Sequence, residues 1–220
     1  MSNDTQFSKV RIEMLCDGVF AIAMTLLVLE LKVPELARET PPAELWHALG
    51  EHRSSYFAFV LTFMLAGGFW VQHHVLFHYL ARATRSLALL NLVFLMFVSL
   101  LPFSTSLFAR FGAPVGIVVY FGNQFILALL LSGQWILASR KGLLSGDSGD
   151  PKRVRFVAVL TAFTTMLGSL FVLSIVAPGS AALAPLPGVI AVLFVRRRAE
   201  KRAKAQERLR LSAEPPGAGA

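Results

Sequence analysis

Few side chains in this sequence can do chemistry, and those that can stand inside apolar runs. Asp17 sits within the segment Arg11-Ile-Glu-Met-Leu-Cys-Asp17-Gly-Val-Phe-Ala-Ile22-Ala-Met-Thr25-Leu26-Leu-Val-Leu29-Glu30. Trp70, His73 and His74 share a second apolar segment, Asn91 lies in a third and Gln134 in a fourth. A carboxylate in hydrocarbon is costly unless paired or hydrated, so Asp17 must face protein or water. Three chemistries are open to such a set: a hydrogen-bonded network, a proton relay and a metal site. His74 and His78 are spaced i, i+4 beside His73, which supplies two zinc ligands at most, and neither a second cysteine nor an acidic residue stands near them. No metal is therefore expected. A relay through Asp17 and His74 would suit a proton-coupled secondary transporter, although no inverted repeat is visible. No glycine-rich phosphate loop, serine-nucleophile elbow or catalytic carboxylate pair is present, so neither an enzyme nor a cofactor is expected.

The elements that position these groups follow from composition. The 220 residues are 55% hydrophobic and only 15% charged, and the mean hydropathy is +0.61. Six membrane helices of ~20 residues would use most of the apolar content. Six stretches qualify, at 17–33, 56–80, 87–108, 115–138, 156–177 and 180–195; the last is the weakest, carrying Pro185 and Pro187. The expectation is an all-α polytopic membrane protein with one six-helix domain over 1–196. A partly disordered basic tail covers 197–220. Glu13, Asp17 and Glu30 punctuate the first stretch and no small-residue cleavage site follows it, so it reads as a retained helix. Trp46 and Leu49 suggest a short interfacial helix in the loop after it.

Charge gives the orientation. With six spans, the side holding both termini carries Lys9, Arg11, Arg82, Arg85, the basic residues between Arg140 and Arg155, and eight more between Arg196 and Arg210. The other side carries Lys32, Arg38, Arg53 and Arg110. The positive-inside rule places both termini in the cytoplasm. The net charge of +8 is then a topology anchor that touches anionic lipid headgroups, with no nucleic acid as partner.

At 100° per residue Ile22, Leu26 and Leu29 form one stripe of the first helix, bordered by Gly18 and Thr25. Glu13 and Asp17 fall on another side, which is expected to dock on neighbouring helices. On periodicity alone the aliphatic stripe reads as ordinary packing. Depth counting at ~1.5 Å per residue brings Asp17, His73, His74, Asn91 and Gln134 to one level. Polar groups at one depth of a bilayer find one another. A network pairing Asp17 and Arg11 with His73 or His74 and Asn91 is the expectation.

These residues carry a resemblance. Arg11-x-x-x-Leu15-Cys16-Asp17-Gly-Val-Phe-Ala-Ile22-Ala-x-Thr25-Leu26-Leu-Val-Leu29-Glu30 resembles the first-helix signature of the transmembrane protein 175 family, potassium-permeable channels of lysosomes and prokaryotes. Trp70-x-x-His73-His74 and Asn91 with Leu101-Pro102-Phe103-x-Thr105 look like its second and third helices. One departure is that Leu15-Cys16-Asp17 stands where the family has Phe-Ser-Asp, which exchanges a hydroxyl for a thiol, a weaker hydrogen-bond partner. The resemblance implies a prokaryotic-type subunit of six helices in the cell membrane, assembled as a homotetramer around permeant K+. It implies that helix one lines the pore, with Ile22, Leu26 and Leu29 as hydrophobic rings and Thr25 as a polar ring. Arg11, Asp17, Trp70, His73, His74 and Asn91 would form the supporting network. The chain has no Thr-Val-Gly-Tyr-Gly run, so a carbonyl-cage filter is excluded.

Overall fold

The computed structural model describes residues 8–37, 39–112, 114–146 and 150–177. The expected sixth span and the basic tail lie outside the described residues. Among the described residues seven α-helices follow in order: α1 (Lys9–Leu26), α2 (Pro42–Glu51), α3 (Arg53–Tyr79), α4 (Arg85–Ser99), α5 (Leu101–Phe111), α6 (Val115–Arg140) and α7 (Pro151–Val176). Five stretches of these residues are long and apolar enough to cross a membrane: Lys9–Glu30, Arg53–Tyr79, Arg85–Phe111, Val115–Arg140 and Pro151–Val176. They coincide with the first five runs of hydropathy.

The boundaries differ where hydropathy is blind. α1 starts eight residues before Asp17, because Lys9, Arg11 and Glu13 are good helix formers despite their charge. Asp17 is therefore already two turns inside the helix. The third span is two helices, α4 and α5, which meet at Leu100. Pro102 lacks an N–H and crowds the carbonyl of the preceding turn, which is enough to break a helix. Between Thr40 and α3, the residues around Trp46 and Leu49 form α2, none of whose side chains is buried.

Inside a bilayer helices gain nothing from hydrophobic transfer, so they associate through close contact and polar pairing. Small residues make the contact close. After the turn at Gly112, whose φ of 55° is left-handed, α6 runs back along α5. A Cβ on Gly116 would stand 2.5 Å from the Leu107 carbonyl oxygen. The core runs between α1, α3 and α4, where Phe20, Phe69 and Phe94 are fully buried, and on through Leu127 and Leu131 of α6 to Leu167 of α7. Phe69 meets Phe163 of α7 edge-on, with centroids 5.0 Å apart.

One end of the bundle gathers most of the basic loops and is clasped by backbone. Ala81 N–H donates to Leu143 O (2.9 Å) and Ser145 N–H to Tyr79 O (2.7 Å), and Leu80 pairs with Leu144 in an isolated antiparallel bridge. Lys9 Nζ donates to Leu80 O at 3.0 Å, a cation at the carbonyl end of α3. Lys141 Nζ reaches Ser86 Oγ at 3.0 Å. Arg153 lies over Trp135, 5.4 Å from the ring centroid, within an aromatic group completed by Tyr79 and Phe156.

Gly116→Ala should destabilise the protein by about 1–3 kcal/mol, the usual cost of forcing volume into a closed contact. Thermal unfolding of the purified protein in detergent measures it. Gly18→Ala, where a Cβ would meet nothing within 4 Å, should leave the melting temperature unchanged or higher.

Candidate functional site

α1 has two faces with different surroundings. Ile12, Cys16, Phe20 and Ala23 are buried, and Leu27 continues their line. Spacings of three and four residues put them on one side. Opposite them, Ile22 is 61% exposed, Leu26 43% and Leu29 70%. Arg11, Leu15, Gly18 and Thr25 share this open side.

The buried face is held by hydrogen bonds as well as packing. Asn91 Nδ2 donates to Cys16 Sγ at 3.2 Å, and its Oδ1 lies 2.9 Å from His73 Nε2. An amide oxygen only accepts, so Nε2 must carry the proton and donate. The same nitrogen lies 3.4 Å from Cys16 Sγ. The triangle joins α1, α3 and α4 at one level, and His73 is stacked between Phe77 and Phe94. Local sequence dictates the geometry. Cys16 is at the centre of the buried arc of α1, while His73 and Asn91 lie on the buried faces of α3 and α4.

Asp17 is elsewhere. One residue past Cys16, it lies 100° around the helix, exposed at the edge of the packed face. Its Oδ1 accepts from Trp70 Nε1 at 2.8 Å, and Trp70 in turn stacks on the exposed His74 with centroids 6.0 Å apart. The expected pairing of Asp17 with His73 or Asn91 is corrected: Cys16 makes those contacts, and Asp17 is held by Trp70. The expectation that the Asp17 side docks on neighbours shifts by the same 100°, to the side of Cys16. Arg11 joins neither group. It lies eleven residues, about three turns, before Ile22 and so shares the azimuth of the open stripe; among the described residues it makes no ion pair. Gln134 is buried, yet its amide bonds to none of these groups.

On the open side, Thr25 Oγ1 donates to Ala21 O and Ile22 O, each at 2.9 Å. Its proton is used inside the helix, so the oxygen presents lone pairs outward. After Leu26 the helix tightens to a 3₁₀ turn, Leu27–Glu30. Residues three apart eclipse in such a turn. Leu29 thus stands over Leu26, and Glu30 over the buried Leu27.

A second buried polar layer escaped the sequence reading. Thr105 Oγ1 donates to Thr62 Oγ1 (3.0 Å), which lies 3.1 Å from Tyr120 Oη, and Asn123 Nδ2 donates to Ser104 Oγ at 3.2 Å. It ties α3 and α5 to α6. Tyr120, Asn123 and Gln124 at i, i+3, i+4 in one apolar run were its available signal.

A bundle of antiparallel apolar helices, with one helix anchored by a single face and its opposite stripe left open, defines a polytopic membrane protein of the channel and transporter class. Comparison with known proteins resolves the class. The model of the family described as "Endosomal/lysosomal potassium channel TMEM175" matches residues 11–102. A potassium channel of Streptomyces collinus is 37% identical over 172 residues, covering 74% of this chain and 82% of that one. The endosomal/lysosomal proton channel TMEM175 of Gallus gallus is 37% identical over 110 residues, 48% of this chain and 22% of that one. The crystal structure of the lysosomal potassium-selective channel TMEM175 homolog from Chamaesiphon minutus superposes with a TM-score of 0.62 at 29% identity, covering 87% of this chain and 97% of that one. The chain belongs to the TMEM175 family. It is a member of an ion-channel family and not an enzyme.

Cys16→Val should leave Asn91 Nδ2 without its acceptor and cost about 1–2 kcal/mol. Cys16→Ser, which restores an oxygen acceptor, should cost less. Melting temperatures of the two variants in detergent test this, and equal losses would mean that sulfur contributes bulk alone.

Proposed function

We propose that the chain is the subunit of a homotetrameric, potassium-permeable cation channel, weakly to moderately selective for K+ over Na+. Six spanning helices with both termini in the cytoplasm of a cell membrane fit the distribution of Lys and Arg. In this reading α1 lines the pore, Ile22, Leu26 and Leu29 form hydrophobic rings, and Thr25 forms a polar ring. The Cys16, His73 and Asn91 triangle and the Asp17–Trp70 bond hold α1 upright behind it. The basic loops and tail rest on anionic headgroups.

The observation that carries the reading is the open stripe of α1. A lipid-facing stripe has no use for Arg11 at its foot or an outward oxygen lone pair at Thr25. A water path has use for both. Four Ile22 side chains around an axis make a narrow dry ring. An ion crossing it sheds part of its hydration shell, and potassium does so at lower cost than sodium. Such a ring closes by dewetting.

Proton transport is the second reading, favoured by the name of the vertebrate relatives and by the exposed Asp17 beside the Trp70–His74 stack. A proton-coupled transporter would give saturable K+ flux that tracks the pH gradient. A channel gives downhill current without that dependence.

Ile22→Asn tests the pore assignment in planar bilayers. The polar ring should raise conductance several-fold and bring the K+/Na+ permeability ratio toward one, because a hydrated constriction no longer strips the ion. An unchanged ratio would remove Ile22 from the pathway.

A further inference from the structure

The far end of α1, away from the basic loops, carries a salt bridge that nothing above uses. Glu30 Oε2 lies 3.7 Å from Arg110 Nη2, at the ends of the 3₁₀ turn and of α5. The glutamate side chain is 25% exposed and the arginine 55%. Glu30 is the residue after Leu29, the last member of the open stripe. Had α1 continued as an α-helix, Glu30 would stand five whole turns after the buried Ile12, at the border between the buried face and Leu26. The 3₁₀ turn instead eclipses Glu30 with Leu27, whose side chain is fully buried. The carboxylate is thus turned further from the stripe and onto α5, where Arg110 meets it. Lys32, two residues on, is exposed and makes no ion pair among the described residues.

We propose that the Glu30–Arg110 pair sets the cation attraction of this mouth of the pore, with Arg110 drawing each carboxylate aside and neutralising it. The proposal rests on the reading that the open stripe of α1 lines the pathway. A ring of free carboxylates at a pore mouth concentrates cations and binds divalent ions. Four copies of a glutamate tied to arginine, beside four copies of Lys32, form a mouth that does neither. Arg110 is then a residue that limits conductance without touching the ion. The pair is partly exposed, with N and O 3.7 Å apart, and contributes little to stability; its place beside the stripe gives it an electrostatic duty.

The test is conductance of the reconstituted full-length protein in symmetrical KCl at two concentrations. At about 10 mM, where the Debye length is ~30 Å, mouth charge is felt; at 1 M, where it is ~3 Å, it is screened. Arg110→Gln should raise the low-salt conductance about twofold or more, leave the high-salt value near wild type, and introduce block by millimolar Ca2+. Glu30→Gln alone should lower the low-salt conductance. The double variant E30Q/R110Q should return to wild-type conductance and lose the Ca2+ block, and Arg110→Lys should behave as wild type. A low-salt conductance indifferent to Arg110→Gln and Glu30→Gln, or a gain and block that persist in the double variant, overturns the proposal. Leu29→Cys separates this failure from failure of the pore reading. A cationic thiol reagent applied at this mouth should block Leu29→Cys and spare the wild type, whose only cysteine is buried. If Leu29→Cys is not blocked, the pore reading itself falls, and the proposal with it.

Discussion

A bilayer offers a polar side chain nothing to bond with, and the contact of Asn91 with Cys16 and His73 is this protein's answer to that constraint. Hydrocarbon is as good a neighbour for leucine as another leucine, so apolar bulk cannot decide how α1 is turned. Directional bonds can. Asn91 donates on one side and accepts on the other, and both partners are fixed in packed positions on different helices. With that triangle closed, the azimuth of α1 is set, and everything on its opposite side is set with it. The open stripe, the outward oxygen of Thr25 and the sideways placement of Asp17 all follow from which residue is turned inward at position 16.

The same logic explains what could be read from the residues and what could not. Five spans were legible because a run of some twenty apolar residues has one physical meaning in a chain this hydrophobic. The foot of α1 was not, because Lys9 and Arg11 lower hydropathy while favouring the helix. The break at Leu100 was legible in principle from Pro102, since a missing N–H and a ring clash are local facts. Choosing between Cys16 and Asp17 as the network's hinge was a different problem. Both stand at the same depth, and charge draws attention to the aspartate. Azimuth decides, and it depends on the centre of the buried arc, which Ile12, Phe20, Ala23 and Leu27 define only once they are known to be buried. The departure from the family's Phe-Ser-Asp therefore falls on the pivot itself, where sulfur takes the place of a hydroxyl oxygen.

Two polar layers hold the bundle at different levels. The triangle ties α1 to α3 and α4; the set of Thr62, Thr105 and Tyr120, with Ser104 and Asn123, ties α3 and α5 to α6. Because α4 and α5 are separate helices, each layer grips one rigid piece of the third span. The break at Leu100 lies between the two grips, so the axis can change direction there without loosening either.

The helices are also ordered by distance from the proposed pathway. α1 is embraced by α3, α4 and α5, whereas α7 packs chiefly on the far side of α6. A change of side chain on the outer surface of α7 reaches α1 only through α3, or through α6 and α4. The inner layer carries the mutual commitments, since altering one member of the triangle takes a partner from each of the other two. The family model matches residues 11–102, which hold all three members of the triangle. The outer surface of α7 is thus the part of the described bundle that a changed lipid or neighbour could reshape with least disturbance to α1.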